Sequence, residues 1–405
     1  MTNAIAASVP ESLLPQIAAR PDVAQVISDA PYRQQPPLRS SGKLGVTPIG
    51  VPWGVQKIRA PEAWAALYRG QGVVVGGQDT GYQWDHPALK EKYRGWNGGS
   101  ADHNYSWHDA IRSLIPSPSG PQTNSCGLDL AAPCDDDGHG SHTMGTMVGD
   151  DGVGSQPGVA PDAKWIGCRN MEEGWGRAST YMECFEWFIA PTDLAGNNPD
   201  PSKAPDVINN SWGCPPTSGG EDCDAAEIDL MRTVVNNVRD AGVVVVVSAG
   251  NDGPGCSTIT SPAAIYASSH TVGATDSNDA IANFSSRGPN PDGLLKPNVS
   301  APGVDVCSSI PGSTYACGWN GTSMAGPHVA GTVALMISAN PSLRGDPDTI
   351  ESILESTAVP LTSAQTCGAF SGTSVPNAVF GYGRIDAYAA VQAALAVPMF
   401  KDGFE

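Results

Sequence analysis

Five consecutive valines at residues 243–247 restrict the fold of this chain more than any other feature. A strand without polar alternation must be covered on both faces, which is typical of the inner strands of a parallel sheet. Residues 73–79 begin with a similar apolar run, residues 206–210 are predicted to form a further strand, and residues near 178–190 and 224–240 are predicted to form helices. Buried strands that alternate with helices predict an α/β fold with three layers, in which helices flank a mostly parallel central sheet.

The composition of the chain excludes several classes of function. The chain has 405 residues, which is enough to bury a sizeable core, and its formal net charge is -19. Because nucleic acids and anionic membranes bind basic surfaces, this charge argues against both as partners. No segment approaches 18 apolar residues, so the sequence predicts no membrane span.

The number and spacing of the cysteines indicate whether the protein works inside or outside the cell. Ten is an even number, and no two of them form a C-x-x-C pair, which disfavours a zinc site or a thioredoxin-like motif. A low fraction of charged residues, 16%, and many Gly and Pro residues complete the pattern of an exported protein with disulfides. Residues 1–30 lack the basic start and apolar core of a signal peptide. We therefore expect a secreted protein whose leader is absent from this chain.

Spacing suggests which cysteines pair. Three pairs are close in sequence, Cys168 ends a predicted strand before the helix that carries Cys184, and two cysteines remain. The total of five bridges is a firmer expectation than the pairing, which sequence does not fix. The expected pairs are Cys126 with Cys134, Cys214 with Cys223, Cys307 with Cys317, Cys168 with Cys184, and Cys256 with Cys367.

Ser323 lies in the small-residue stretch Gly321-Thr322-Ser323-Met324-Ala325, and an apolar run at 333–337 follows it. The run predicts a buried helix that reaches about residue 339 and begins near the serine. A helix start offers unpaired N–H groups and the positive end of the dipole, and both favour a negative oxygen that forms there. The alternative is a serine that only caps a core helix.

Three more polar residues lie at predicted strand ends or helix starts, where ligands bind in α/β sheets. Asp79 ends the first buried strand, His139 begins a helix, and Asn251 follows the valine strand. With Ser323, these types match an orienting carboxylate, a general base, an oxyanion donor and a nucleophile. Taken singly, Asp79 could cap a turn and Asn251 could be an ordinary turn residue.

The other histidines have simpler interpretations. His139 and His142 have the H-x-x-H spacing of metal ligands, but no third ligand is evident. His86 and His328 are interpreted as structural. The order of the candidates along the chain also excludes an α/β-hydrolase, in which the base follows the serine, whereas the order Asp79, His139, Ser323 is that of subtilisin.

These motifs resemble those of the subtilisin-like serine proteases. The resemblance rests on Gln78-Asp79-Thr80-Gly81, His139-Gly140-Ser141-His142, Ser248-Ala249-Gly250-Asn251 and the Ser323 stretch, and it covers about residues 53–395. Residues 84–95, 158–161 and 209–213 are more similar to the bacillopeptidase F branch. The resemblance implies an Asp79–His139–Ser323 triad, with Asn251 and Ser323 forming the oxyanion hole.

The resemblance also implies a cleft that pairs with an extended substrate as an added strand. Its expected lining is Gly174, Trp175, Gly176, Ser211, Trp212 and Gly213. The loop at 251–262 would complete the specificity pocket, and neither it nor 211–213 contains a lysine or arginine. We therefore expect apolar or aromatic residues before the cleaved bond.

The resemblance divides the chain into four parts. Residues 1–30 resemble the end of a propeptide, 31–50 a linker, 51–397 the catalytic domain, and 398–405 a tail. Residues 23–29 are predicted to form the strand that leads into the cleft, and 31–43 an exposed linker. The mature start is expected within about 31–46, with Pro36 and Pro37 obstructing cleavage locally.

The expected function is secreted serine endopeptidase, acting through an acyl-enzyme on protein or peptide substrates and binding its own propeptide. No cofactor is expected for catalysis. The family allows a structural calcium ion, but Ala88 stands where many subtilisins have a calcium-binding aspartate, so the sequence identifies no metal site. Two alternatives remain: an inactive binding module of the same family, and an esterase with the same geometry.

Overall fold

The structure is a computed structural model that describes residues 2–39, 49–115, 124–213, 223 and 225–398. The strands in these ranges are β1 (Pro31–Arg33), β2 (Leu38–Arg39), β3 (Val74–Asp79), β4 (Trp107–Asp109), β5 (Lys164–Arg169), β6 (Met171–Glu172), β7 (Trp175–Arg177), β8 (Val207–Asn210), β9 (Val244–Ser248), β10 (His270–Thr275), β11 (Val299–Pro302), β12 (Val306–Ile310) and β13 (Thr314–Asn320). The α-helices are α1 (Leu14–Ala18), α2 (Trp53–Lys57), α3 (Ala60–Ala65), α4 (His139–Val148), α5 (Ala178–Ile189), α6 (Ala225–Asp240), α7 (Thr322–Ala339), α8 (Pro347–Ser356) and α9 (Ala387–Ala396).

Seven strands form the central sheet in the order β11-β10-β9-β8-β3-β5-β4, and every neighbouring pair is parallel. The predicted parallel sheet is confirmed. The carboxyl ends of β3, β8 and β9 lie next to one another, with Asp79, Ser211 and Asn251 at or just beyond them. Two small antiparallel sheets, β1-β7-β6 and β12-β13-β2, complete the fold.

The valine run divides its side chains between two cores. Val244 and Val246 pack in the cluster that contains the buried faces of α4, α7 and α9. Val245 and Val247 pack in the opposite cluster, with the apolar residues of α5 and α6. Because successive side chains of a strand point to opposite faces, an all-valine strand requires an apolar layer on each side. The sequence therefore predicted the three layers correctly.

The amino-terminal segment differs from the prediction. Residues 23–30 form no strand, and β1 begins only at Pro31, where it meets the edge of β7. An alternating apolar pattern becomes a strand only where a neighbouring edge accepts its hydrogen bonds. The prediction of an exposed linker is also wrong for Tyr32, Gln34 and Pro37, which are buried. Most of the remaining linker, residues 40–48, lies outside the described residues.

Four disulfides join described cysteines: Cys126 to Cys134, Cys168 to Cys184, Cys256 to Cys367, and Cys307 to Cys317. Cys223 is also in a disulfide, whereas its expected partner Cys214 lies outside the described residues. The bridge between Cys256 and Cys367 closes a loop of 111 residues. In the chain-entropy description, a loop of this length stabilises the fold by about 4–5 kcal/mol.

Thiol titration of the unfolded, unreduced protein is therefore expected to find no free thiol, since no described cysteine is free. The reduced protein, titrated in parallel, should give ten thiols and serves as the control. Two or more reactive thiols before reduction would contradict five bridges.

Among the described residues, no helix combines the length and apolar character that crossing a membrane requires.

Candidate active site

Asp79 and His139 form a buried pair. His139 Nδ1 lies 2.8 Å from Asp79 Oδ1 and 3.0 Å from Oδ2, and both side chains are about 1% exposed. Thr80 N also donates to Asp79 Oδ1 at 2.8 Å. A carboxylate only accepts hydrogen bonds, so Nδ1 of His139 carries the proton and Nε2 is left as the basic atom of the neutral ring.

The close approach of α4 to the end of β3 depends on small residues. A Cβ on Gly140 would come within 2.0 Å of the Gly81 carbonyl oxygen, so no larger residue fits there without displacing the helix start. Gly140 N donates to Thr80 Oγ1, and Ser141 N donates to Asp135 Oδ2. These side-chain acceptors satisfy N–H groups that the first turn leaves unpaired. The sequence Gly138-His139-Gly140 thus allows the position that His139 takes relative to Asp79.

The electrostatics make His139 more basic. Burial disfavours the imidazolium ion, but the charge of Asp79 and the hydrogen bond to it outweigh burial, and the pKa of His139 is raised. A histidine paired in this way accepts a proton more readily than a free imidazole. The pair can therefore act as a base toward a neighbouring hydroxyl group.

Ser323 is the second residue of α7 and is almost fully buried. Its Oγ donates to the Ser211 carbonyl oxygen at 3.1 Å, and among the described residues no hydrogen bond joins it to His139. Asn251 lies beside the same helix start, where its Oδ1 accepts from Thr322 N and Thr322 Oγ1, both at 2.9 Å. Engagement of Oδ1 leaves the Asn251 amide group as the donor of that side chain.

Several of these groups line one pocket. Ser323 and Asn251 line it, and Gln34 and Gln35 of the amino-terminal segment close one side. The other lining residues are Ser211, Trp212, Gly213, Ser248, Gly250, Asp252, Ser261 and Thr322. Most of the lining residues are polar, and one of them, Asp252, is acidic. The predicted preference for apolar or aromatic substrate residues stays a prediction.

Residues of the amino-terminal segment lie beside the pocket as an antiparallel strand, β1, on the edge of β7. Tyr32 is opposite Gly176 in the β1–β7 ladder, and Gln34 N donates to the Gly174 carbonyl oxygen at 2.8 Å. Beyond the two prolines the segment pairs again, as β2, with Trp319 and Asn320 of β13. The edge formed by Gly174, Trp175 and Gly176 therefore pairs with a strand of the chain's own amino-terminal segment, and its pairing with a substrate stays a prediction.

Gln34 reaches the centre of the site. Its Nε2 lies 2.9 Å from His139 Nε2 and donates to the Ser211 carbonyl oxygen at 2.7 Å. The Gln34 amide and Ser323 Oγ thus bind the same carbonyl oxygen, and the amide occupies the basic nitrogen of His139. No sequence signal indicates this role, because a glutamine in a proline-rich stretch has no local pattern that marks it.

The remaining histidines lie elsewhere. His142 stacks on Trp319 with ring centroids 4.3 Å apart, and His86 Nε2 lies 2.9 Å from the Thr314 carbonyl oxygen. His328 Nδ1 contacts the Met324 carbonyl oxygen at 2.9 Å, and burial lowers its pKa to about 4. The described residues contain no group of three or more His, Cys, Asp or Glu side chains arranged to hold a metal ion.

The comparisons with known proteins decide the family. Residues 70–383 match the sequence model of the Subtilase family. The chain belongs to this family. Bacillopeptidase F of Bacillus subtilis (strain 168) is 40% identical over 412 residues, which cover 97% of this chain and 26% of that protein. Subtilisin E of the same organism is 32% identical, covering 84% of this chain and 72% of the relative. Subtilisin Savinase of Lederbergia lenta is 35% identical over 72% of this chain.

This subtilase spans about a quarter of the length of bacillopeptidase F. It spans most of the shorter subtilisins. Family membership places the chain among the subtilisin-type serine peptidases, and the α/β fold agrees with that assignment.

Proposed function

We propose that this subtilase is a secreted serine endopeptidase whose catalytic residues are Asp79, His139 and Ser323. The buried Asp79–His139 pair carries the proposal, because its basic imidazole nitrogen lies 2.9 Å from the amide of Gln34, which lines the same pocket as Ser323. A serine hydroxyl is a weak nucleophile and needs such a base. The disulfides support secretion, since they persist in oxidising compartments.

In the proposed reaction, His139 Nε2 takes the proton of Ser323 Oγ while that oxygen attacks the carbonyl carbon of a peptide bond. Asp79 holds the ring in the required tautomer and stabilises the imidazolium ion. The Asn251 amide and the backbone N–H of Ser323 donate to the oxyanion. His139 then protonates the leaving amine. In the second half of the reaction, His139 takes a proton from a water molecule that attacks the acyl carbon, and it returns the proton to Ser323 Oγ as the acyl bond breaks. No cofactor takes part in these steps.

We propose further that the chain described here is a latent form, with residues 1–30 as propeptide remnant, 31–50 as linker and 51–397 as catalytic domain. Gln34 blocks the contact that Ser323 needs with His139, and the strand pairing of β1 fills the substrate edge. The segment must leave before a substrate can bind. The tail, 398–405, lies almost wholly outside the described residues.

The order of the segment along the cleft indicates which of its bonds faces Ser323. Gln34 lies at His139, and Gln35 Nε2 donates to Asp252 Oδ1 next to Asn251. The next peptide bond is therefore Gln35–Pro36. Proline has no N–H and its ring stiffens the backbone, so this bond is a poor substrate. We infer that Pro36 protects the segment in the cleft from cleavage by Ser323.

Replacing Pro36 by alanine is therefore expected to make the chain cut itself between residues 35 and 36, whereas the wild type starts elsewhere within about 31–46. Amino-terminal sequencing over a time course measures both. The double variant Pro36→Ala with Ser323→Ala should stay intact, which separates self-cleavage from a contaminating protease. Equal cleavage of the wild-type Gln35–Pro36 bond would refute the role of Pro36, and a wild type that stays active while keeping Met1 would refute latency.

Three measurements test the endopeptidase proposal itself on the self-processed chain. A fluorophosphonate probe should label Ser323, and denatured casein and a peptide ester should both be cleaved. Absence of labelling would indicate an inactive binding module. Ester turnover without casein cleavage would indicate an esterase.

A further inference from the structure

A chain of three buried amide side chains crosses the carboxyl edge of the central sheet. Asn170 Nδ2 donates to Gln78 Oε1 at 3.0 Å, and Gln78 Nε2 donates to Asn210 Oδ1. Asn210 Nδ2 donates in turn to the Val246 carbonyl oxygen at 3.1 Å. All three amide side chains are fully buried. Side chains therefore join the residue after β5 to β3, β8 and β9.

These amides lie on the face of the sheet opposite to the Asp79–His139 pair. Successive side chains of a strand point to opposite faces, so Gln78 points away from the face on which Asp79 meets His139. Gly76, two residues earlier in β3, faces Phe188 of the apolar layer. A buried amide in such a layer is costly unless it is hydrogen-bonded, and valines fill the same layer along β9. Hydrophobic burial alone therefore does not account for the amides.

Two of the amides directly precede residues of the candidate site. Gln78 precedes Asp79, and Asn210 precedes Ser211, whose carbonyl oxygen accepts from Ser323 Oγ at 3.1 Å. Gln78 and Asn210 are opposite each other in the β3–β8 ladder, and they are its last pair. Their side-chain hydrogen bond therefore ties the two strands together at the last position before Asp79 and Ser211.

Asn170 connects the same network to the edge on which β1 lies. Its backbone N–H donates to the Asp79 carbonyl oxygen at 3.0 Å, and its carbonyl oxygen accepts from Thr180 Oγ1 at 2.8 Å. Thr180 Oγ1 also accepts from the backbone N–H of Arg177, the last residue of β7, at 3.0 Å. One end of the amide chain is thus fixed both to Asp79 and to β7.

We propose that Gln78 is a positioning residue for the candidate active site. Its hydrogen bond to Asn210 sets the distance between His139 and the carbonyl oxygen of Ser211. Ser323 Oγ donates to that oxygen in this structure and must reach His139 to lose its proton, so this distance decides how the two groups meet. A misplacement of about 1 Å can lower a rate about a hundredfold. The effect on catalysis rests on the proposed function, whereas the effect on the distance does not.

The Gln34 side chain reports this distance without catalysis. Its Nε2 lies 2.9 Å from His139 Nε2 and 2.7 Å from the Ser211 carbonyl oxygen, so it spans the two groups. Hydrogen exchange at this side-chain amide is followed by NMR in the full chain carrying Ser323→Ala, which lacks the candidate nucleophile. Gln78→Met is expected to accelerate the exchange about tenfold, because one of the two contacts of the amide weakens. Unchanged exchange would overturn the proposal.

The second measurement compares stability with turnover, in variants that wild-type enzyme has first processed. Gln78→Met keeps the length of the side chain but leaves Asn210 Oδ1 and Asn170 Nδ2 without their partner. It should lower the unfolding temperature, and it should lower kcat by about tenfold to a hundredfold with little change in KM. The triple variant with Gln78→Met, Asn170→Leu and Asn210→Leu removes the unpaired groups. We expect it to regain stability but not kcat, since apolar side chains pack without fixing the distance.

Asn340→Leu is the matched control, since it removes a buried amide just past the far end of α7. Asn340 is 1% exposed, and its Nδ2 donates to the carbonyl oxygens of Ala394 and Val397. This variant should lose stability and keep kcat. Recovery of kcat together with stability in the triple variant would reduce the amides to a structural role and overturn the proposal. A wild type that cleaves no peptide, with the exchange effect intact, would refute the endopeptidase and leave the positioning by Gln78 in place.

Discussion

Replacing Ser323 by alanine is expected to lower kcat for peptide hydrolysis by about 10⁶-fold while the protein stays folded. This magnitude was measured on the catalytic serine of subtilisin and is transferred here. The physical reason is that alanine provides no atom to form the acyl-enzyme, so only binding and oxyanion stabilisation remain. Within the described ranges, the one hydrogen bond of Ser323 Oγ goes to the Ser211 carbonyl oxygen, and the fold loses little with it.

The assay must separate lost chemistry from a cleft that is still occupied. A Ser323→Ala chain cannot cut its own linker, so the segment would mask the site whatever the serine does. Each protein is therefore treated first with immobilised wild-type enzyme, which is then removed by filtration. Amino-terminal sequencing verifies the cut and thermal unfolding verifies the fold. Turnover by the variant near the wild-type rate would mean that another residue is the nucleophile.

Replacing Asn251 by alanine is expected to lower kcat by about 10²–10³ with little change in KM. The figure comes from the equivalent substitution in subtilisin and is again a transfer. The effect falls on kcat because a donor aimed at the oxyanion acts when the negative charge forms, not when the neutral substrate binds. The measurement is steady-state kinetics on variants processed in the same way.

Asn251 also orients the helix start, since its Oδ1 accepts from Thr322 N and Oγ1. Thr322→Val is the matched control, because it removes one of these hydrogen bonds and leaves the amide donor in place. Its kcat should stay within about tenfold of the wild type. A loss in Thr322→Val as large as that in Asn251→Ala would assign the effect to positioning of α7. A loss below about tenfold in Asn251→Ala would mean that another group stabilises the oxyanion.

The three-layer fold was predictable because its causes are local. The valines of β9 need apolar cover on both faces, and helical spacing around them supplies it. The candidate site was predictable for a related reason. Asp79, Ser323 and Asn251 each stand at or beside the end of a strand or the start of a helix, and parallel strands bring such ends to one edge of the sheet. Gly140 allows the close approach, and small residues of this kind are visible in the sequence.

Local sequence patterns could not predict which segment of the chain crosses the site. Residues 23–29 alternate as a strand does, yet the strand forms at Pro31–Arg33, because only there does the chain meet the open edge of β7. The contact of Gln34 with His139 joins residues that are 105 positions apart. The sequence by itself thus determined the layers, the sheet and the residues at its carboxyl edge. Tertiary structure decided which part of the chain occupies that edge, since strand pairing and burial of an aromatic ring depend on surfaces that exist only after the core has formed.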